Sequence, residues 1–249
     1  MKPILFSAPM VKALLNAKPG TWPVQPIVPS RPCKSQVRRI VKPQPEYNFL
    51  YDEPIGGEWF WTEFDTDDDT MGWWPSYDKG LAPRYQAGDK LWVRETWRCM
   101  GFDDADAGEA KRLLVQYKDE TSRWVDFDDV TRWKKFAVCS AHWKSSIHMP
   151  REAARLFLEV REVRAERLRD ISPEDARAEG SYLDRCECLP RGNDKTPVES
   201  AFSQKRCHIH GTEFRASWDA INAKKGCPWE SDPWVWVCEF MRVEGQKHV

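Results

Sequence analysis

Hydrophobic residues recur in short stretches along the chain, and their spacing predicts both strands and helices. The apolar run at 3–6 predicts a strand, and Met10, Val11, Leu14 and Leu15 then recur at helical spacing. Alternating or continuous apolar stretches predict further strands at 37–41, 91–96, 113–117, 136–139, 156–161 and 234–241.

Two later segments carry the signals of helices. Ser172 is a candidate N-cap, Pro173 suits the first turn, and Gly180 predicts the end of this helix. Apolar residues recur at spacings of four and three within 214–221, which predicts an amphipathic helix.

Segments rich in proline, glycine and polar residues interrupt this pattern. Many short strands, three helices and a closing buried strand together predict one α+β domain, a small β-barrel with flanking helices and loop insertions. The expected insertions lie at about 18–33, 44–84, 101–135 and 181–213.

Composition and charge narrow the class of protein. The chain has 249 residues, of which 41% are hydrophobic, so it can form a substantial core. No apolar run approaches the roughly 20 residues that cross a bilayer, and the first residues do not resemble a secretory signal. We therefore expect a cytoplasmic protein without a membrane partner. A net charge of −1 argues against coating of nucleic acid by bulk charge, but it leaves room for a local basic patch.

The eight cysteines suggest reduced thiols or metal ligands rather than disulfides. Cys186 and Cys188 precede a polar stretch, and Cys207, His208 and His210 follow it. Such ligands suit tetrahedral zinc in a structural role, with Cys186, Cys188, Cys207 and His210 as the expected set. Free cysteines placed by chance are the alternative.

Seven blocks in order carry a resemblance to a known family. They read KPILFSAPMVKALL, KSQVRRIVKPQP, GDKLWVRETW, WKSSIHMP, ISPEDARAEG, FRASWDAIN and DPWVWVCEF. Together they resemble the phage- and prophage-encoded branch of the ASCH domain family. The resemblance implies a fold similar to the PUA domains of RNA-modifying proteins, with a cleft beside the first helix. ASCH relatives have been linked to RNA binding, to removal of acetyl groups from acetylcytidine and to RNA cleavage.

The resemblance also implies site residues. Lys34 matches the lysine of a G-x-K-x-x-T-x-R-like signature, and Glu179 matches the family's acidic partner. Val37 stands where hydrolase-like members carry threonine. Valine keeps the shape of threonine and lacks its hydroxyl, so it removes a side-chain nucleophile at this position.

Further polar residues are candidates for contact with a nucleotide. Arg38 or Arg39 could bind phosphate, and strand alternation lets only one of them face the cleft. Glu95 ends a predicted strand, where it either faces the cleft or pairs with a strand neighbour.

The WKSSIHMP block adds a polar loop to these candidates. Its residues Lys144, Ser146 and His148 could bind phosphate. Trp97 and Trp143 could stack on bases, although burial in the core is the more ordinary role of tryptophan.

The sequence thus predicts a protein that binds RNA or a modified nucleoside or nucleotide through Lys34, an adjacent arginine and Glu179. One alternative is a hydrolase, either a ribonuclease or an amidohydrolase on acylated cytidine, with Lys34 and Glu179 as its catalytic pair. Another is a structural or assembly role in a phage.

Overall fold

The structure is a computed structural model that describes residues 1–22, 24, 33–45, 49–52, 58–65, 70–75, 82–103, 111–136, 142–180 and 208–244. Helices and strands both occur, which confirms the α+β class. The α-helices are α1 (Ala8–Leu15), α2 (Val130–Phe136), α3 (Pro173–Ala178) and α4 (His208–Asn222). None of the described helices is long and apolar enough to span a membrane.

The strands are β1 (Lys2–Leu5), β2 (Gln36–Ile40), β3 (Phe49–Asp52), β4 (Glu58–Asp65), β5 (Thr70–Pro75), β6 (Lys90–Arg94), β7 (Trp97–Asp103), β8 (Lys111–Tyr117), β9 (Ser122–Phe127), β10 (Phe157–Arg167) and β11 (Trp234–Val243). They form a five-stranded sheet in the order β1–β6–β10–β11–β2 and two three-stranded sheets, β3–β4–β5 and β7–β8–β9. Strand β1 is parallel to β6, whereas β6 and β10, and β11 and β2, are antiparallel. No sheet of the described strands closes into a barrel, so the PUA-like barrel stays a prediction.

The chain divides into two compact units, and neither is a continuous stretch. Unit 1 comprises Met1–Lys34, Gly88–Val160 and Phe240–Val249, and unit 2 comprises Ser35–Ala87 and Arg161–Glu239. The two longest strands, β10 and β11, each contribute residues to both units. The single domain expected from the sequence stays a prediction.

Unit 1 contains a core on one face of the β7–β8–β9 sheet. Alternation along β8 buries Leu113, Val115 and Tyr117, because successive side chains of a strand point to opposite faces. The neighbouring strands add buried residues to the same core: Trp97, Cys99, Val125 and Phe127.

Unit 2 has a core in which α3 and α4 pack with β11. Its buried members are Leu168, Ala176, Phe214, Trp218, Val235 and Val237. Phe214 and Trp218 are four residues apart on α4, as the sequence predicts, and their ring centroids lie 6.2 Å apart. This packing fixes the helix α3, which carries a candidate site residue at its end.

The structure adds to the sequence prediction at two places. Phe136, expected to begin a strand over 136–139, ends α2, where its ring packs 6.0 Å from that of Trp97, and residues 137–139 lie outside the described residues. The segment 44–84, expected to be an insertion that forms a loop or hairpin tip, contains the antiparallel strands β3, β4 and β5. Its aromatic, acidic and glycine residues follow no clean alternation, so the pattern hid strands that are defined by their pairing.

Candidate functional site

Strand β2 places its two arginines differently. It pairs with β11 so that Arg38 lies opposite Val237 and Arg39 lies opposite Trp236. The side chain of Arg38 is only 1% exposed, whereas Arg39 is exposed. Of the two candidates that the sequence left open, Arg38 is therefore the one directed into the protein.

The helix α3 brings Glu179 to Arg38. Ser172 caps the helix as predicted, accepting a hydrogen bond at 3.0 Å from the Asp175 amide. Glu179 is the C-cap residue, and Arg38 Nη1 donates to its Oε1 at 3.4 Å. The Ser35 amide also donates to the Ala178 carbonyl at 2.9 Å. Two motifs that are 141 residues apart in the chain thus meet within unit 2.

Other carboxylates of unit 2 surround the same guanidinium. Arg38 Nη2 donates to Glu166 at 3.0 Å and to Asp175 at 3.2 Å. With its amide oriented to suit these neighbours, Gln36 accepts from Arg38 at 2.6 Å and donates to Asp175 at 3.0 Å. The buried Nε of Arg38 has no hydrogen-bond partner among the described residues.

A second arginine completes the arrangement. Arg164 donates to Glu166 and Glu239, and to Asp175 at 3.2 Å. We call the following residues the Arg38 cluster: Gln36, Arg38, Arg164, Glu166, Asp175, Glu179 and Glu239. Partial burial opposes the charge of Arg164, but its bonds to Glu166 and Glu239 outweigh burial and raise its pKa. Burial likewise acts to raise the pKa of Asp175, and the charges of Arg38 and Arg164 outweigh it and lower that pKa.

Lys34, the other residue implied by the resemblance, belongs to unit 1 and is fully buried. Its amide donates to the Ala13 carbonyl at 3.2 Å, and its Nζ lies 5.8 Å from the centre of the Phe6 ring. Fully buried lysines are rare in proteins unless they are paired. Lys34 is therefore an inward-facing residue and not part of a solvated strand edge.

Val37 is buried as well and lies opposite Cys238 in the pairing of β2 with β11. Strand alternation directs it to the face opposite that of Arg38. Position 37 therefore supplies packing, and its valine side chain has no hydroxyl.

Glu95 is held by a residue that the sequence analysis missed. Arg155 donates to both oxygens of Glu95, at 2.8 and 2.7 Å, and to Asp119 at 2.9 Å. Burial raises the pKa of Glu95, although Arg155 acts in the opposite direction. Arg155 precedes β10, the neighbour of β6, so only the pairing of these strands reveals the contact.

The polar loop lies beside β7 in unit 1. Lys144 forms an isolated antiparallel bridge with Trp97, and its Nζ lies 4.9 Å from the centre of the buried Trp97 ring. Ser146 and His148 are in a 3₁₀ turn, with Ser146 half-buried and His148 exposed. Trp97 is thus a core residue, and His148 is open to solvent.

The expected zinc ligands cannot be placed. Cys186, Cys188 and Cys207 lie outside the described residues, and His210 lies in α4 without a described side chain. Among the residues whose side chains are described, no group of three His, Cys, Asp or Glu could hold a metal ion.

No protein-family model, curated protein or solved structure matches this chain. A function must therefore be argued from the site itself. The Arg38 cluster offers several carboxylate acceptors and one buried guanidinium donor, a combination that can bind a polar ligand through hydrogen bonds.

Proposed function

We propose that this protein is an RNA- or nucleotide-binding member of the ASCH family with a PUA-like fold, with Arg38 and Glu179 of unit 2 as its binding residues and Lys34 of unit 1 as a further candidate. The contact of Arg38 with Glu179 carries this proposal. It joins the lysine-containing signature to the end of α3, the two segments that the resemblance assigns to the cleft.

The charges of the Arg38 cluster favour recognition of a base over recognition of a phosphate. The cluster holds four carboxylates and two guanidinium groups. A phosphate would be repelled by this excess of negative charge. An exocyclic amine, such as N4 of cytosine, is instead a donor suited to a glutamate. We therefore expect Glu179 to accept from a base and Arg38 to orient Glu179.

A hydrolase is the second candidate, and the buried Lys34 favours it. A lysine inside a protein can act as a base or stabilise developing charge. Val37 counts against an amidohydrolase that needs a threonine, while a ribonuclease would not require that hydroxyl. Binding without chemistry is the simpler reading of the two.

Calorimetric titration with cytidine monophosphate, N4-acetylcytidine and a short RNA tests the proposal. Glu179→Gln removes the charge with little change in shape, and we expect it to lower the affinity for the ligand about tenfold or more. Arg169→Gln is the matched control, because Arg169 is an exposed residue of the same unit. If none of the three ligands binds, or if both variants bind equally well, the proposal is wrong.

Mass spectrometry of the same mixtures separates binding from catalysis. Product that disappears in Lys34→Met and persists in Lys90→Met, a variant of an exposed lysine in unit 1, would establish a hydrolase. The product mass would distinguish strand cleavage from removal of an acyl group. Unchanged ligands would support binding alone.

A further inference from the structure

The β7–β8–β9 sheet of unit 1 has a second face, opposite its core, whose chemistry the Arg38 cluster does not explain. Alternation along β8 and β9 directs Leu114 and Trp124 to this outer face, where they lie opposite each other in the register. Trp124 is 45% exposed. Gly101 of β7 also lies opposite Leu114 and carries no side chain, so this row is flat beside the exposed indole.

The adjacent row is polar and ends in a second tryptophan. Arg98 lies opposite Gln116 and donates to its side chain at 2.7 Å. The guanidinium of Arg98 lies 4.6 Å from the centre of the Trp143 ring, and Lys118 Nζ lies 4.3 Å from it. Trp143 adjoins Lys144, which bridges to β7, so this ring extends the outer face beyond that strand.

Positive charge accompanies both rings. Arg112 pairs with Asp126 at 2.9 Å, and its guanidinium lies 5.8 Å from the centre of the Trp124 ring. Among the described side chains of this face, the contacts name three cations, Arg98, Arg112 and Lys118, and one anion, Asp126; the register adds one more acidic residue, Asp103, opposite Arg112. Cations stacked on indoles fix the rings in place and leave the surface electropositive.

We propose that this outer face binds single-stranded nucleic acid, with the exposed Trp124 as the stacking residue, Trp143 as the ring that holds Arg98 and Lys118, and Arg98, Arg112 and Lys118 as phosphate contacts. Aromatic rings beside a basic track are what single strands require, since every unpaired base has a face to stack and every linkage carries a negative charge. The polar Gln116 row and the excess of cations suit a nucleic acid better than an apolar protein partner. The inference uses residues of unit 1 alone and does not depend on the proposed function.

Fluorescence anisotropy with a labelled single strand of about 12 nucleotides tests this surface, a length within the roughly 4–16 that single-strand-binding domains cover. We expect Trp124→Ala to weaken binding about fivefold or more, the lower end of what one stacked base contributes. Trp22→Ala is the matched control, because Trp22 is 44% exposed and lies in the same unit. Trp124→Phe, which keeps an aromatic face, should restore most of the affinity.

Salt dependence tests the charged contacts. Between about 50 and about 200 mM salt, binding should weaken, and Arg98→Gln should reduce the slope by about one ion. Arg215→Gln, an exposed and ion-paired arginine of unit 2, should leave the slope unchanged. A duplex of the same length should bind less tightly, because its bases are already stacked.

Several results would overturn the inference: no binding of the single strand, equal losses in Trp124→Ala and Trp22→Ala, or a duplex that binds as well as the single strand. Loss of strand binding in Arg38→Met with none in Trp124→Ala would also overturn it, and would assign RNA binding to the Arg38 cluster. Loss of strand binding in Trp124→Ala but not in Arg38→Met would support binding at the outer face, whether or not the proposed function is correct.

Discussion

Arg155, half-buried in unit 1, and Arg38, buried in unit 2, both lie beside carboxylates, yet their surroundings differ. Arg155 makes four hydrogen bonds of 2.6–2.9 Å, to Glu95, Asp119 and Thr121, and its guanidinium lies 4.0 Å from the centre of the Tyr117 ring. Arg38 reaches its three carboxylates at 3.0, 3.2 and 3.4 Å and the Gln36 side chain at 2.6 Å, and its buried Nε has no partner among the described residues.

This difference separates a structural ion pair from a candidate site. A guanidinium held by both oxygens of one carboxylate, with a hydroxyl and a ring completing its contacts, is fixed in geometry. A guanidinium whose contacts to carboxylates are longer, and whose Nε has no acceptor, can still bind a ligand. The contrast supports a structural role for Arg155 and Glu95 in unit 1 and the proposed role of Arg38 and Glu179 in recognition.

Replacing Arg155 gives the largest expected effect. Arg155→Met leaves Glu95, whose side chain is 4% exposed, as a buried charge without its guanidinium. We expect a loss of about 3–5 kcal/mol in the free energy of unfolding, measured by urea denaturation. Arg215→Gln breaks an exposed ion pair and should cost about 0–1 kcal/mol. A loss in Arg155→Met no larger than this control would remove the structural assignment.

Replacing Arg38 should cost less stability and more ligand affinity. The side chains of Glu166 and Asp175 remain about 20% exposed, and Arg164 still donates to both. Glu179, whose side chain is 6% exposed, loses only the longest of the three contacts, at 3.4 Å. Water and Arg164 can therefore compensate in part, and we expect Arg38→Met to lose about 2 kcal/mol, below the usual range of about 3–5 for a broken buried pair. Urea denaturation and nucleotide titration of the same variant measure both effects. The comparison fails if Arg38→Met is the more destabilising of the two and leaves nucleotide binding intact.

How far the sequence predicts these two regions depends on the range of the interactions. The start of α3 is predictable because Ser172 and Pro173 act on the adjacent turn. The alternation of Arg38 and Arg39 is also local, so the sequence predicts that one of these two arginines faces inward without showing which one. The strand β6 and the closing strand β11 likewise follow from local patterns of apolar residues.

The carboxylate partners of the two arginines are distant in the sequence, and the sequence alone does not predict them. Arg155 is 60 residues from Glu95, and Glu166 is 128 residues from Arg38. Such contacts depend on which strands pair and in which register, which a single sequence does not specify. The same reason explains why Arg164 and Asp175 were missed, since a charged residue on a strand or in a first helical turn looks solvated until its neighbours are known.

The cap of α3 offers a smaller effect that links local structure to the site. Ser172→Ala removes the acceptor of the Asp175 amide and should cost about 1 kcal/mol of stability. Because Glu179 ends the same helix, we also expect a modest loss of nucleotide affinity. Ser122→Ala, an exposed serine of β9 in unit 1, is the control for both measurements. Equal stability of the two variants would show that the cap does not hold α3.

The response to acid is the smallest effect expected, and its sign differs between the two regions. The pKa of Asp175 is lowered, because Arg38 and Arg164 outweigh the opposing effect of burial. Its contribution to stability is therefore present above the unfolded pKa of about 3.9 and is lost as the pH falls through the lower folded value. Asp175→Asn should flatten the fall in stability in that acidic window, measured by urea denaturation across pH.

Glu95 should act in the opposite direction. Burial raises its pKa, so its folded form holds a proton at a pH where the unfolded chain, with a pKa of about 4.3, has released it. Acidification from the raised folded value down to the unfolded value thus adds stability, and Glu95→Gln should remove that gain. The same denaturation series on Glu95→Gln and Asp175→Asn should therefore change the pH dependence with opposite signs. Changes of the same sign would mean that Arg155 outweighs the effect of burial on the pKa of Glu95, as Arg38 and Arg164 do for Asp175. The distinction between the two regions would then rest on geometry alone.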